Sequence, residues 1–319
     1  MRKCFYNGSF IEESDAKISI YDSALMFGDM VFEMTRSFNK KHFKLEQHID
    51  RLLIGCKILR IPVNYSKQEI IDICYKVSEI NEEFFSDTDE HRLMINVSRG
   101  PLGIYSHLFK KKEPTFIISD FPLKWTVSTM GDLFDKGVNG VITNQKAIPH
   151  RYLDPKIKNR SRIHYQMANI EASLFQGDNN WPVLMDENGF IAEGSGDNLF
   201  FIKDDKIYTP KGHDILRGIS RQYIFDLCHE LNLEVIEKDL TPYDAYCCQE
   251  SFMTATPFCL LPMSSLNSIK ISEGIGNITK KILNQWSKNV GVDIANQIKF
   301  FNSEHKAEKG NPTPYSFKK

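Results

Sequence analysis

The chain has 319 residues, with 40 Lys plus Arg against 41 Asp plus Glu and a formal net charge of −1. At roughly 150 residues per domain the length predicts two domains. A content of 41% hydrophobic and 25% charged residues is that of a globular protein with the apolar mass for a core. The balanced charge lacks the clustered basic excess that nucleic acid or an anionic membrane demands, and no apolar run approaches the ~20 residues of a bilayer span. Behind Met1-Arg2-Lys3 stand Asn7, Gly8 and Ser9 rather than an apolar stretch, so no secretory signal is expected. The seven cysteines include no C-x-x-C, and Cys247 and Cys248 are adjacent. That pattern predicts reduced, mostly buried thiols in a cytoplasmic protein without a metal site.

Residues 17–20 and 31–38 are rich in β-branched and aromatic side chains and predict strands. In 46–61 the apolar Ile49, Leu52, Leu53, Cys56 and Leu59 share one helical face, and Pro62 ends the helix. A second helix is predicted over 66–80, with Ser66 as N-cap and Glu69 at the capping-box position. Strands are predicted at 93–98 and 115–119. The stretch 120–131 is aperiodic and carries Pro122 and Gly131. It predicts a linker between a smaller N-terminal domain, 1–119, and a larger C-terminal domain, 132–301. Within the latter, strands are predicted at 138–143, 183–185, 199–202, 206–209, 233–237 and 251–254. Helices are predicted at 162–175, closed by Gly177, at 219–231, with Tyr223, Ile224, Leu227 and Cys228 on one face, and at 278–289. The segment 302–319 is polar, carries Gly310, Pro312 and Pro314, and predicts a mobile tail. Strands and helices interspersed throughout predict α/β architecture with some α+β character.

The common dinucleotide, Walker A, zincin and nucleophile-elbow motifs do not occur. What remains is a dispersed set: Phe27-Gly28-Asp29-Met30-Val31-Phe32-Glu33, His48-Ile49-Asp50-Arg51-Leu52, Ile157-Lys158-Asn159-Arg160, Ala192-Glu193-Gly194-Ser195-Gly196-Asp197-Asn198-Leu199-Phe200 and Leu216-Arg217-Gly218-Ile219-Ser220-Arg221. Each piece alone has an ordinary reading. Lys158 fits a solvated basic strand edge, Arg51 an ion pair with Asp50 or Glu46, Ser220 a helix N-cap and Glu193 a turn residue. In this order and at these intervals, over about residues 5–290, the set resembles the class IV aminotransferases. These include branched-chain and D-amino acid aminotransferases and aminodeoxychorismate lyase, all of which use pyridoxal 5′-phosphate.

The resemblance implies the two-domain fold of that family, fold type IV, and a homodimer. Pyridoxal phosphate chemistry needs a lysine, a carboxylate facing the pyridine nitrogen and a phosphate cradle. By resemblance the lysine is Lys158, thirteen residues before Glu171-Ala172, with Lys156 as its rival two residues away. The carboxylate is Glu193. The cradle is Arg51, whose guanidinium suits phosphate, with Gly218, Ile219 and Ser220 at a helix N-terminus and Thr256 after a strand. Phe32, Arg36, Ala255 and Thr256 are assigned to the substrate, with Arg36 taking its carboxylate bidentately. The implied reaction moves an amino group between a branched-chain or other apolar L-amino acid and a 2-oxo acid. An amine transaminase and an aminodeoxychorismate-lyase-like enzyme are the alternatives.

Four features depart from the family pattern. Phe27 replaces a common Tyr. Ile163 stands where a Tyr often reaches the cofactor, and Tyr165 is expected on another face of the helix. Pro257 has no N–H to offer a substrate carboxylate. The stretch after Arg99-Gly100 lacks the Arg-x-His trap of D-amino acid aminotransferases.

Overall fold

The computed structural model describes residues 1–109 and 113–308. The chain divides into two compact units: Met1–Leu123 together with Ile157–Arg162, and Lys124–Lys156 together with the chain from Ile163 onward.

The first unit contains β1 (Lys3–Tyr6), β2 (Ser9–Glu12), α1 (Ser23–Phe27), β3 (Met30–Met34), the short hairpin β4 (Ser37–Phe38) and β5 (Lys41–His42), α2 (Leu45–Leu59), α3 (Lys67–Asn81), β6 (His91–Ser98) and β7 (Thr115–Pro122). Five strands form an antiparallel sheet in the order β2-β1-β7-β6-β3. Strand periodicity assigns its two faces. Leu93, Ile95 and Val97 of β6 enter a core with Ile49, Leu52 and Cys56 of α2 and Ile70, Cys74 and Val77 of α3. Arg92, Met94 and Asn96 have the opposite parity. Asn96 lies between Phe32 on β3 and Ile117 on β7, and Met94 between Met34 and Ser119. The Ser66–Glu69 capping box opens α3 as expected.

Ile157–Arg162 complete this unit, although the sequence places them in 132–301. The segment runs along β3: Val31 bridges antiparallel to Asn159, the Phe32 N–H donates to the Lys158 carbonyl at 2.9 Å, and the Arg160 N–H donates to the Met30 carbonyl at 2.9 Å. Such pairing between distant stretches of chain leaves no local mark in the sequence.

The second unit contains α4 (Lys124–Val127), α5 (Leu133–Lys136), β8 (Val138–Ile142), α6 (Ile163–Ser173), β9 (Asn180–Met185), β10 (Ile191–Gly194), β11 (Asn198–Lys203), β12 (Lys206–Pro210), α7 (Ile219–Glu230), β13 (Val235–Lys238), α8 (Pro242–Tyr246), β14 (Glu250–Ala255), β15 (Cys259–Leu266), β16 (Ile269–Lys270), α9 (Asn277–Val290) and α10 (Ile294–Glu308). Its mixed sheet runs β10-β9-β8-β15-β14-β11-β12-β13, with β16 attached to β15. Helix α7 buries Tyr223, Ile224, Leu227 and Cys228, the apolar face expected of it.

Several expectations need correction. Residues 17–20 form no strand. The stretch 31–38 is interrupted after Met34 and resumes as a hairpin. The stretch 120–131 is not irregular throughout, because β7 continues to Pro122 and α4 follows. Residues 302–308 belong to α10, and 309–319 lie outside the described residues. No disulfide links the cysteines; five are buried, while Cys247 and Cys248 are partly exposed. No helix among the described residues is long and apolar enough to cross a membrane, and no group of His, Cys, Asp and Glu among them suits a metal ion.

Candidate active site

Lys158 owes its position to the edge pairing with β3. Asn159 fixes the chain on both sides of it: its amide donates to the Ile157 carbonyl at 2.9 Å, and its side-chain oxygen accepts from the Ser161 N–H at 2.9 Å. The Phe27-Gly28 motif supports the same segment. The Ser161 hydroxyl donates to the Phe27 carbonyl at 3.0 Å, and Gly28 has φ +67° with Ser161 packed where a Cβ would stand. The Lys158 amine lies 4.8 Å from the centroid of Phe32, which is buried. The rival Lys156 belongs to the second unit, where its amine donates to the Asp154 carboxylate at 2.8 Å and the His213 carbonyl at 3.2 Å.

Asp50 and Glu46, the ion-pair partners expected of Arg51, both pair with Lys67. The Arg51 Nε and NH2 donate to the two oxygens of Glu33 at 2.6 and 2.8 Å, while His48 Nδ1 donates to Glu33 at 2.8 Å. Glu33 is fully buried. Burial alone would raise its pKa, but the Arg51 charge and then His48 overcome this and hold it far below the usual carboxylate range. Burial lowers the pKa of His48 against the pull of Glu33, and the charges of Arg51 and Lys158 lower it further. Glu33 therefore aims both Arg51 and His48, a role that nothing in the motif singled out.

Arg36 is buried, its Nε donates to the Ser37 carbonyl at 3.2 Å, and its guanidinium lies 3.9 Å above the Phe38 ring. Its charge acts on a second buried arginine, Arg92. Burial, and then Arg36, pull the Arg92 pKa down to about 9. Arg92 Nε and NH1 have no hydrogen-bond partner among the described residues, nor has the buried Ser119 hydroxyl. The one mark of Arg92 in the sequence is an arginine directly before the alternating Leu93 and Ile95 of a strand, which says nothing of the partners it faces.

In the second unit Glu193 is buried on β10. One oxygen accepts from the Tyr165 hydroxyl at 2.7 Å. The other accepts from the Leu216 N–H at 2.9 Å and the Asn198 amide at 3.3 Å. Tyr165 thus reaches Glu193 from a face of α6 other than that of Ile163, as its spacing predicts. Both lie in the first turn of the helix, where Ile163 is exposed. Beside Glu193, the buried Asp197 has its pKa pushed up to about 8 by burial and then by the Glu193 charge, and its Oδ1 has no hydrogen-bond partner among the described residues. A buried carboxylate next to a second carboxyl group suits a cationic N–H such as a pyridinium.

Gly218, rather than Ser220, is the N-cap of α7, and no side chain caps the helix there. The first-turn N–H groups at Ile219 and Ser220 suit an anion. Asn198 Oδ1 occupies the space of a Gly218 Cβ, so glycine is required for this approach. Ala255 ends β14, and Thr256, Pro257 and Phe258 form the turn into β15. Glu171 has a separate job: its carboxylate accepts from the Asn144 N–H at 2.7 Å and ties down the loop after β8.

Residues 30–266 match the family model for amino-transferase class IV. A Methanocaldococcus jannaschii protein provisionally named branched-chain-amino-acid aminotransferase is 31% identical over 283 residues, covering 88% of this chain and 93% of that one. The branched-chain-amino-acid aminotransferase of Escherichia coli is 28% identical over 285 residues, covering 87% and 89%. The crystal structure of the Escherichia coli branched-chain aminotransferase superposes with a TM-score of 0.81 at 26% identity, covering 91% of this chain and 94% of that one. The branched-chain aminotransferase of Thermoproteus uzoniensis with norvaline shares the fold, with a TM-score of 0.79, 22% identity and coverage of 91% and 95%.

Proposed function

Because the chain belongs to the class IV aminotransferases, enzymes that move amino groups with pyridoxal phosphate, we propose that it binds this cofactor and transfers the amino group of a branched-chain or similar apolar L-amino acid to a 2-oxo acid. The observation that carries the reading is Glu193, a buried carboxylate that accepts from the Tyr165 hydroxyl, the Asn198 amide and the Leu216 N–H. When bound, the cofactor supplies an aldehyde that takes the amine and a ring that withdraws electrons from the substrate Cα.

The residues of the set suit this cofactor. Lys158 presents its amine from the sheet edge, and Glu193 holds a proton on the ring nitrogen. Arg51, the N–H groups of Ile219 and Ser220 and the Thr256 hydroxyl serve the phosphate. The Lys158 Nζ also moves the proton to and from the substrate carbon, a role typically worth ~10²–10⁴-fold in rate. Phe32 and Ala255 bound the substrate. Arg36 and Arg92 form a buried cationic pair, and the partnerless N–H groups of Arg92 suit the side-chain carboxylate of an acidic partner such as glutamate or 2-oxoglutarate.

Assembly is read as a homodimer. Ile163, Met167, Ile170 and Leu174 form an exposed apolar stripe at helical spacing along α6 and its C-terminal end, a surface that suits a second copy. The seven free cysteines agree with a reducing cytoplasm.

The test is a single-turnover survey of the purified, cofactor-loaded enzyme, following the bound cofactor's absorbance. L-leucine, L-isoleucine and L-valine should convert it to the aminated form, while their D-enantiomers and decarboxylated amines should not. Conversion by the amines alone would make this an amine transaminase, and turnover of aminodeoxychorismate without amination of the cofactor would make it a lyase.

A further inference from the structure

Beside Lys158 stands a second cation held with unusual care. Arg160 Nε and NH2 both donate to the Asn96 side-chain oxygen, at 3.1 and 2.7 Å. Its guanidinium lies 3.7 Å from the centroid of the Phe32 ring, the same ring that carries the Lys158 amine at 4.8 Å. These two distances bound the separation of the Arg160 Cζ and the Lys158 Nζ at 8.5 Å. The Arg162 guanidinium lies 5.4 Å from that centroid.

Two features distinguish Arg160 from a surface arginine. The first is rigidity. Asn96 and Phe32 are both buried, and the Arg160 backbone N–H is bonded to β3. A guanidinium lying on an aromatic face with two of its five N–H groups on one acceptor loses little further entropy on binding an anion. The second is charge. The brace is an amide oxygen, which orients the guanidinium and carries no charge of its own, whereas a carboxylate at position 96 would cancel the charge.

An α-amino acid carries its carboxylate carbon two bonds from its nitrogen. A substrate whose nitrogen is exchanged at the Lys158 amine therefore brings its carboxylate into the neighbourhood of this residue. Arg36, the sequence's choice for that carboxylate, is turned over Phe38. Pro257 has no N–H to offer.

We infer that Arg160, braced by Asn96 and Phe32 beside Lys158, binds the α-carboxylate of the amino-acid and 2-oxo-acid substrates and so determines specificity for α-amino acids over amines. The inference rests on the aminotransferase reading and adds to it the residue that selects the substrate class. Arg36 and Arg92 are then left to the side-chain carboxylate of an acidic partner.

The experiment measures binding rather than turnover. The cofactor-loaded wild type, Arg160→Gln and Asn96→Asp are titrated by calorimetry with 4-methylpentanoate and with its neutral analogue 4-methylpentanamide. Arg160→Gln removes the charge, and Asn96→Asp keeps the brace but neutralises it. Both variants should weaken the carboxylate by about ten- to a hundredfold, the range of a hydrogen bond to a charged group. The amide should change by less than about threefold, because it has no charge to lose. Equal losses on both probes would make Arg160 a support of the fold, and unchanged carboxylate affinity in either folded variant would exclude it from recognition. A wild type without affinity for 4-methylpentanoate would also overturn the inference. Failure of the wild type to aminate its cofactor with L-leucine, while these affinities hold as expected, would instead overturn the reaction.

Discussion

Glu33 illustrates how a residue shapes this site without belonging to its chemistry. It lies on β3 with its carboxylate against α2, where Arg51 and His48 occupy one helical face three residues apart. Replacing this buried carboxylate by a neutral amide removes an acceptor and the charge that hold three N–H groups of Arg51 and His48, which costs more than one bond. Glu33→Gln should therefore weaken cofactor affinity about as much as Arg51→Ala, by roughly one to two decades. Because the two residues act through one guanidinium, the double variant should lose little more than either single variant. Fluorescence titration with pyridoxal phosphate measures all three, and additive losses would show that Glu33 does not act through Arg51. Arg92 invites a different experiment. Arg92→Met should raise the KM for 2-oxoglutarate by about tenfold or more, while 4-methyl-2-oxopentanoate, with no second carboxylate, changes by less than about threefold. Equal effects would place Arg92 outside substrate recognition. Lys158, Glu193 and Arg51 were marked as candidates in the sequence because their neighbours form motifs. Glu33, Tyr165 and Arg92 were not, because their roles depend on partners brought close only by folding.

Among the elements, α2, α3, α7 and α9 were legible because amphipathic helices mark themselves within a dozen residues. Strand β15 was not. It is buried along most of its length and carries Pro262, so it shows neither alternation nor an uninterrupted strand sequence. The 157–160 edge was missed for a related reason: its strand character comes from β3. The elements around β6 also carry a pH-dependent link. His91 Nδ1 bonds Asp120 on β7 at 2.8 Å, and its Nε2 bonds Glu82, just after α3, at 2.6 Å. Burial opposes the charged imidazolium, but Asp120 and then Glu82 outweigh it and raise the His91 pKa above its ordinary value. A raised folded pKa stabilises fully below the unfolded value, ~6.5, and that contribution disappears as pH rises through the folded value. The Tm deficit of His91→Gln relative to wild type should thus be largest near pH ~6 and shrink toward pH ~9. Differential scanning calorimetry across that range decides it, and a deficit independent of pH would mean that His91 contributes packing alone.

At the scale of the whole molecule, the presence of two units was legible from length, and the break between Leu123 and Lys124 falls inside the aperiodic stretch. The passage of Ile157–Arg162 into the first unit was not, although it carries the lysine. The chain thus assigns Lys158 and Arg51 to one unit, and Glu193 and the α7 N-terminus to the other. In the proposed reaction Lys158, rather than Lys156, joins the cofactor. Borohydride reduction of the pyridoxal-phosphate-loaded protein, followed by peptide mapping, tests it most directly. The phosphopyridoxyl label should fall on Lys158, and Lys158→Ala should take up none; a label on Lys156, or one that persists in Lys158→Ala, would contradict the account.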